Sequence, residues 1–404
     1  MKKILIGHSE GWKGYLDTSV LYPKSYEEIK NKWGAGNGSF SHNSDNLLFV
    51  SAITQYLTQD GIIWDEFGKD TDVSQYDKIV VPEANLFSVR NIEVMKERAK
   101  KFRNYGKPVY IIGIGLQARL DENIKDLASQ IREPMYEYVD SVYKSGGELG
   151  LRGYYTKELL DIIYPGNSAC VIGCPSMYVN GRDLTVSNEK VDKSCFLYAI
   201  NGKAKDMATR FYKYNNKLYK HGYIDQDEYG DLIYNDWITK PGISEIEDII
   251  QRYTIEGLEG LFSGNVELYF DIPVWKEEMK KYSFSFGRRI HGNIVSILSG
   301  VPALLNNQDK RTEEIADYFD IPTTQFRFDK EYDLYDMYLR TDYTQFNKRF
   351  CERYDAFESF LRNCGIVESI ADSSKFRDKL NKNGSWIKHE IDYKRIKDIL
   401  SIDN

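Results

Sequence analysis

The stretch that decides the fold is residues 283–311, SFSFGRRIHGNIVSILSGVPALLNNQDKR. It begins with a strand-like run, passes through a basic cluster at Arg288, Arg289 and His291, and continues into an apolar run with helical spacing. A second apolar run, VPALLNN, is typical of another buried strand. The spacing therefore predicts strand, loop, helix and strand, with the basic cluster at the carboxyl end of the first strand.

The same alternation of strand-like and helix-like runs extends outward from this stretch. KKILIGH, YDKIVVPEA and KPVYIIGIGL are typical of buried strands, and RNIEVMKERAKKFRNYG is typical of a helix that stops at a glycine. Such alternation predicts an α/β fold with parallel sheets and helices on both faces. A polar stretch near residues 178–195 interrupts the pattern and is interpreted as a linker.

Length and the linker together indicate more than one domain. A chain of 404 residues is too long for one ordinary core. We expect two Rossmann-like parallel-sheet domains that face a cleft, an N-terminal one over 1–185 and a C-terminal one over 186–342, followed by a helical extension over 343–404. Ligands of open α/β sheets bind at the carboxyl ends of the strands, so we expect the site in this cleft.

Charge and hydropathy exclude several classes of protein. The formal net charge is −7 and there is no basic tail, which argues against general nucleic-acid binding. The start, MKKILIGHSEG, lacks the apolar core of a signal peptide, and no stretch approaches the length of a membrane span. We therefore expect a cytoplasmic protein.

The five cysteines are scattered and odd in number, which indicates reduced thiols. Cys170 and Cys174 are close in sequence, but no second pair lies at zinc spacing. We therefore expect no metal site.

Three basic positions fall where a strand is expected to give way to a helix. They are the Arg289–His291 cluster, Arg152 in GELGLRGYYTKELL, and Lys310 in the sequence DKR. An arginine fork beside a helix N-terminus makes an anion site, and a histidine can exchange a proton near neutral pH. A solvated arginine pair beside a capping histidine is the alternative, and the pattern alone does not decide between them.

A loop rich in glycine and small polar residues, GAGNGSFSHNSDNLLF, occupies residues 34–49. It lies about two dozen residues after the first strand, so it does not have the arrangement of a dinucleotide-binding turn. The loop either cradles a phosphate or a sugar, or simply caps the following helix with Asn43, Ser44 or Asp45.

Six stretches follow one another over roughly residues 35–325: GNGSFSHNSDNLLF, YDKIVVPEANLF, GKPVYIIGIGLQA, LGLRGYYTKELL, VIGCPSMY and GRRIHGNIVSILSGVPALLNNQDKR. In this order, they resemble the polysaccharide pyruvyl transferase family. The most specific of them places Arg289, His291 and Lys310 on the arginine, histidine and lysine of the family pattern. The sequence departs from that pattern at Gly153, where an acid is usual, and before Lys310, where a proline is missing.

The resemblance implies a two-domain fold like that of GT-B glycosyltransferases. It also implies transfer of pyruvate from phosphoenolpyruvate to a sugar of a surface polysaccharide precursor, usually as a cyclic ketal, with no metal or cofactor. Arg152, Arg289 and Lys310 would hold the donor, His291 would be the general acid, and Asp45 would orient or deprotonate the acceptor hydroxyl. Arg288 matches no required position, and we expect it to point into solvent.

Two other functions stay open on the sequence: a nucleotide-sugar glycosyltransferase of the same architecture, and an anion-binding module without catalysis. The sequence does not indicate the acceptor sugar, the ketal position or the oligomeric state. A lipid-linked oligosaccharide acceptor would bring the protein to the inner face of the membrane as a peripheral enzyme.

Overall fold

The structure is a computed structural model that describes residues 2–7, 48–49, 52–53, 56, 62–67, 71–203, 206, 209–226, 266–269 and 272–367. Within these residues, the chain forms two six-stranded sheets, and all paired strands in both run parallel. The predicted α/β class with two parallel sheets is confirmed. The domain boundaries at 185 and 342 remain predictions.

The first sheet has the order β2-β1-β3-β4-β5-β6. Its inner strands are almost completely buried, as their continuous apolar runs predict for a sheet covered on both faces. The strands are β1 (Lys2–Ile6), β2 (Ile62–Glu66), β3 (Lys78–Pro82), β4 (Val109–Ile114), β5 (Glu148–Leu151) and β6 (Cys170–Val171).

The second sheet has the order β12-β11-β10-β7-β8-β9. The chain therefore starts this sheet in the middle, at β7, and leaves a change of direction between β7 and β10. Such a switch point is where ligands bind in open α/β sheets. The strands are β7 (Leu197–Asn201), β8 (Lys220–Asp225), β9 (Val266–Leu268), β10 (Phe284–Gly287), β11 (Ala303–Asn306) and β12 (Thr323–Thr324).

Helices connect the strands wherever the sequence shows an amphipathic run. The longest described helices keep their apolar side on the sheets and expose charged residues, as their 3.6-residue periodicity predicts. The helices are α1 (Ile92–Tyr105), α2 (Ile124–Lys144), α3 (Tyr154–Ile163), α4 (Arg210–Asn216), α5 (Ile272–Met279), α6 (Ile290–Leu298), α7 (Lys310–Phe319), α8 (Leu334–Arg340) and α9 (Thr344–Asn363).

The carboxyl edges of the two sheets are in contact. The backbone N–H of Lys310, at the start of α7, donates to the carbonyl of Ala118, which follows β4, at 3.0 Å. Arg119 and Asp309 form an antiparallel bridge beside it. The loops that follow the strands of one sheet are therefore packed against those of the other, which is the arrangement that brings the predicted basic residues together.

Candidate active site

His291 lies in the first turn of α6, directly after the buried strand β10. That strand ends at Gly287, whose φ of 151° is one that other residues adopt at a cost. Arg289 is the N-cap of α6, and its backbone N–H donates to the carbonyl of Asn201 at 3.3 Å. His291 itself is only 6 % exposed. The predicted cluster therefore lies at the positive end of a helix, where an anion is favoured.

The next residue, Gly292, allows α6 to start this close to the neighbouring strands. A Cβ at that position would lie 2.6 Å from Oδ1 of Asn201 and would also overlap the side-chain amide of Gln226. Asn201 ends β7, and Gln226 follows β8. A side chain at residue 292 would therefore push the first turn of α6, and His291 with it, away from the carboxyl edge of the second sheet.

Arg152 follows β5 in the first sheet and is almost completely buried. Its Nη1 donates to Oδ1 of Asn85 at 3.0 Å, and its guanidinium carbon lies 5.4 Å from the centre of the Phe49 ring. Nε and Nη2 are buried and have no hydrogen-bond partner among the residues that the structure describes. Buried donors normally find an acceptor, so these two N–H groups indicate that a ligand supplies one.

Arg152 and His291 come from different sheets and are brought together at their contact. Burial lowers the pKa of His291 well below its ordinary value, and the positive charges of Arg152 and Arg311 lower it further. Nε2 of His291 lies 3.8 Å from Sγ of Cys174, a buried thiol that follows β6. His291 is therefore a neutral imidazole at pH 7 in the ligand-free protein, next to at least two cations.

Lys310 begins α7, as the sequence predicts, but its ammonium group is engaged elsewhere. Nζ of Lys310 lies 2.9 Å from Oε2 of Glu313 and 4.5 Å from the centre of the Tyr155 ring. The following residue, Arg311, has a buried Nε with no hydrogen-bond partner among the described residues. Arg311, rather than Lys310, supplies the second positive charge that lowers the pKa of His291.

The expectation that Arg288 points into solvent is wrong. Its Nε donates to Oδ2 of Asp206 at 2.9 Å, and its Nη2 pairs with Oδ1 of the same carboxylate. Its guanidinium also lies over the Phe328 ring, 5.2 Å from the ring centre. Asp206 is 2 % exposed, so an unpaired carboxylate there would be costly and Arg288 is held to neutralise it.

A buried carboxylate, Glu314, completes the contact between the two sheets. It lies on α7 and accepts hydrogen bonds from the backbone N–H of Thr156, at 2.9 Å, and from the Thr156 hydroxyl, at 2.8 Å. Burial raises the pKa of Glu314 to about 7, although the Thr156 hydrogen bonds and the charge of Arg152 act in the opposite direction. Glu314 is therefore close to half-protonated at neutral pH.

Asp45, the predicted acceptor-side residue, lies outside the described residues, as does most of the 34–49 loop. Phe49, the last residue of this loop, is among the described residues, and its ring contacts the Arg152 guanidinium. Among the described residues, no group of three or more His, Cys, Asp and Glu side chains is arranged to hold a metal ion. Of the two cysteines near β6, Cys174 contacts His291, whereas Cys170 is exposed.

Comparison with known proteins identifies the family. The family model for polysaccharide pyruvyl transferase matches residues 17–305, more than two thirds of the chain. The chain belongs to the polysaccharide pyruvyl transferase family. The match includes Arg152, Arg289 and His291 and ends before Lys310.

Solved structures resemble this pyruvyl transferase only at low similarity. The glycosyltransferase SnogD from Streptomyces nogalater has 10 % sequence identity and a TM-score of 0.38, with 91 % of this chain and 100 % of that chain covered. A putative UDP-N-acetylglucosamine 2-epimerase from Listeria monocytogenes has the same identity and TM-score, with 95 % and 98 % covered. No curated protein matches the sequence significantly.

Three residues of the candidate site were not predicted from the sequence. Asn85 holds Arg152, Arg311 adds charge beside His291, and Glu314 links α7 to α3. The one available signal was the spacing of Arg311 and Glu314, which are three residues apart and so share a face of a helix. Nothing in the sequence indicates that this face contacts α3.

The raised pKa of Glu314 predicts that the stability of the pyruvyl transferase depends on pH. A carboxyl whose folded pKa is about 7 instead of the ordinary 4.5 stabilises the fold fully below pH 4.5, and this contribution is lost as pH rises through 7. At about 1.4 kcal/mol per unit, the loss is about 3 kcal/mol. The nearby Arg152, Arg311 and His291 act on wild type and Glu314→Gln alike, so the difference between the two proteins isolates Glu314.

The measurement is the free energy of unfolding in urea at pH 5 and pH 8 for wild type and Glu314→Gln. Wild type is expected to lose about 2.5 kcal/mol relative to the variant between these values. An equal difference at both pH values would contradict the raised pKa.

Of the helices that the structure describes, none is both long and apolar enough to cross a membrane.

Proposed function

We propose that this enzyme transfers pyruvate from phosphoenolpyruvate to a sugar of a surface polysaccharide precursor and closes a cyclic ketal. The observation that carries the proposal is the pair of buried Arg152 N–H groups without a partner among the described residues, beside a buried His291. Nε–H and Nη2–H lie on the same edge of a guanidinium and match two oxygens of a phosphate or carboxylate. Arg288 binds the Asp206 carboxylate with this same edge.

The donor suits a site with several cations. Phosphoenolpyruvate carries a phosphate and a carboxylate, and both lose water when they enter a buried site, so fixed positive charges must replace it. Arg152 and Arg289 are the proposed clamp, as the family pattern implies, with Lys310 as its third member. Arg311 joins them in the proposal because its charge reaches both His291 and Arg152.

The reaction delivers one proton to C3 of the donor and removes one proton from each of two sugar hydroxyls. A sugar hydroxyl attacks C2 of the donor, the C2=C3 π bond opens, and C3 takes up a proton to become a methyl group. The C2–O bond to phosphate then breaks, and the second hydroxyl bonds to C2 to close the ketal. Of the two hydroxyl protons, one replaces the proton given to C3 and the other leaves on hydrogen phosphate.

His291 is the proposed general acid, and its surroundings suggest when it gains its proton. In the ligand-free protein, burial and the charges of Arg152 and Arg311 keep the pKa of the ring low. A bound phosphate and carboxylate would offset those charges and raise the pKa. Donor binding and protonation of His291 are therefore coupled in this proposal. The ring gains its proton when phosphoenolpyruvate binds and can then donate it to C3.

Asp45 is the proposed residue that orients or deprotonates the acceptor hydroxyl, on the strength of the family pattern alone. The proposal also places the enzyme in the cytoplasm, because phosphoenolpyruvate is made there, and it requires no cofactor. A lipid-linked oligosaccharide is the acceptor that would draw the enzyme to the inner membrane face.

The test is a phosphate-release assay with purified protein and phosphoenolpyruvate. Acceptors are galactose, N-acetylmannosamine and N-acetylglucosamine glycosides, each offered free and on a lipid diphosphate carrier. We expect phosphate release with at least one acceptor and a product whose mass has gained one ketal-linked pyruvate. If phosphoenolpyruvate is consumed only with the glycosides on a lipid diphosphate carrier, the acceptor is lipid-linked and the enzyme works at the membrane.

The matched comparison supplies UDP-sugars instead of phosphoenolpyruvate to the same acceptors. Release of UDP with no use of phosphoenolpyruvate would overturn the proposal in favour of a glycosyltransferase. Binding of phosphoenolpyruvate with no turnover across the whole panel, and with His291→Ala binding as well as wild type, would favour an anion-binding module.

A further inference from the structure

Glu314 and Thr156 form a buried contact that the proposed chemistry does not use. Glu314 belongs to α7, which follows β11 of the second sheet, and Thr156 belongs to the first turn of α3, which follows β5 of the first sheet. The carboxylate accepts from both the backbone N–H and the hydroxyl of Thr156, at 2.9 and 2.8 Å. Gly153, the N-cap of α3, has no side chain to cap the helix. The capping oxygen for α3 therefore comes from the other sheet.

The same contact fixes a second loop of the first sheet. The Thr156 hydroxyl accepts a hydrogen bond from the backbone N–H of Leu116, which follows β4, at 2.9 Å. Glu314, Thr156 and Leu116 thus form a continuous chain from α7 to the loops after β4 and β5. Arg152 lies at the end of β5, two residues before α3 begins, so the backbone that carries its guanidinium is held at both ends.

Packing around Glu314 is close enough to require glycine on two sides. A Cβ at residue 153 would lie 2.7 Å from the Cβ of Glu314 and 2.9 Å from its carbonyl oxygen. A Cβ at residue 115 would lie 3.0 Å from Oε1 of Glu314 and 3.1 Å from Cδ of Arg152. The Glu314 carboxylate and the Arg152 side chain therefore both pack against the backbone of Gly115.

We propose that Glu314 is a positioning residue, which caps α3 from the opposite sheet and thereby holds Arg152 in register with His291 and Arg311. The inference rests on the proposed function for the identity of the anion, but the capping contact itself does not. Glu314 acts through Thr156 and the backbone of Arg152 and has no part in bond making.

A carboxylate that served stability alone would not be expected in a position where its charge is buried. Its burial opposes ionisation, so the charged form is held at a cost to the fold. Residues that are retained at a cost to stability are characteristic of functional sites. An amide at the same place would still accept from the Thr156 N–H, which makes Glu314→Gln the variant that separates capping from charge.

The experiment uses the full chain and compares Glu314→Ala, Glu314→Gln and Thr156→Val with wild type. The first measurement is amide hydrogen exchange over residues 153–158 without ligand. Loss of a capping oxygen is expected to speed exchange there by about tenfold in Glu314→Ala, and to leave it within about threefold of wild type in Glu314→Gln. The second measurement is the Kd of phosphoenolpyruvate together with KM for donor and acceptor.

A positioning role predicts a specific split between these constants. Glu314→Ala is expected to weaken phosphoenolpyruvate binding by about tenfold or more, with the acceptor KM unchanged, and Glu314→Gln is expected to restore most of the loss. A purely structural role would instead lower the amount of active protein without changing the donor KM. If Glu314→Ala does not fold, the donor Kd and KM of Thr156→Val are measured instead. This variant removes the hydroxyl contact with Glu314 and leaves the carboxylate in place, and a positioning role predicts weaker phosphoenolpyruvate binding.

Glu93→Gln is the control, since it makes the same change in an exposed ion pair with Lys96 on α1. Unchanged exchange at 153–158 in Glu314→Ala would overturn the inference, and so would a donor Kd equal to that of wild type. Failure of wild type to bind phosphoenolpyruvate would overturn the proposed function alone, because the exchange measurement would still decide whether Glu314 caps α3.

Discussion

Replacement of His291 by alanine is expected to lower kcat by about 10²–10⁴-fold, the range that general acid catalysis contributes. Phosphoenolpyruvate should still bind, because His291 is not a member of the proposed clamp and is neutral in the ligand-free protein. The ring is 6 % exposed and lies in the first turn of α6, so water has little room to replace it as a proton donor. The change should therefore appear mainly in turnover, with a smaller effect on the Kd of the donor because proton uptake by His291 is coupled to binding.

Proton uptake gives a second readout that a loss of folding would not imitate. Calorimetric titration of phosphoenolpyruvate in two buffers with different ionisation enthalpies measures the protons taken up on binding. Wild type is expected to take up a proton near neutral pH as the donor raises the pKa of His291, and His291→Ala is expected to take up less. Equal uptake by the two proteins would assign the proton to another group.

His221→Gln is the matched histidine control for this experiment. His221 lies near the amino end of β8, away from the carboxyl edges, and its Nε2 is 2.5 Å from the Tyr212 hydroxyl. A glutamine amide can keep a hydrogen bond to that hydroxyl. The control is expected to keep wild-type turnover. A His291→Ala protein with the same rate as this control would contradict the assignment of the general acid.

The sequence predicts the elements of this fold well because both sheets are buried on both faces. Continuous apolar runs such as KPVYIIGIGL and VPALLNN leave few alternatives to a buried parallel strand, and β4 and β11 lie within them. Arg152 and His291 follow the carboxyl ends of two further strands, β5 and β10. Local pattern is therefore enough to place each of the two residues at the carboxyl edge of its own sheet.

Contacts between distant parts of the chain are what the sequence does not reveal. Glu314 and Thr156 are 158 residues apart, and Arg152 and Asn85 are 67 apart. Each pair depends on how two helices or loops pack, and no local periodicity encodes that. Arg288 shows the same limit, because it forms a partly buried ion pair with Asp206, which lies 82 residues away in the sequence.

Replacement of Arg152 by alanine is expected to weaken phosphoenolpyruvate binding by about 30-fold to several thousand-fold. Truncating one partner of a buried charge pair costs about 2–5 kcal/mol, and each 1.4 kcal/mol is a factor of ten in Kd. The effect is expected to be large because the guanidinium is buried and held by Asn85 on Nη1, whereas Nε and Nη2 have no hydrogen-bond partner among the described residues.

Arg152→Lys separates charge from geometry at this position. A lysine keeps the positive charge but has one nitrogen, which cannot contact Asn85 and also present two parallel N–H groups to an anion. We therefore expect the lysine variant to recover little of the lost affinity. Calorimetric or fluorescence titration of phosphoenolpyruvate measures the Kd of each variant.

Arg182→Lys is the control for the same chemical change, because Arg182 forms an exposed ion pair with Asp355. It is expected to bind phosphoenolpyruvate as wild type does, since exposed pairs contribute little. Full recovery in Arg152→Lys would mean that the site needs only a charge, and the side-on fork of Arg152 would then have no role in recognising the donor. Wild-type affinity in Arg152→Ala would remove Arg152 from the donor site altogether.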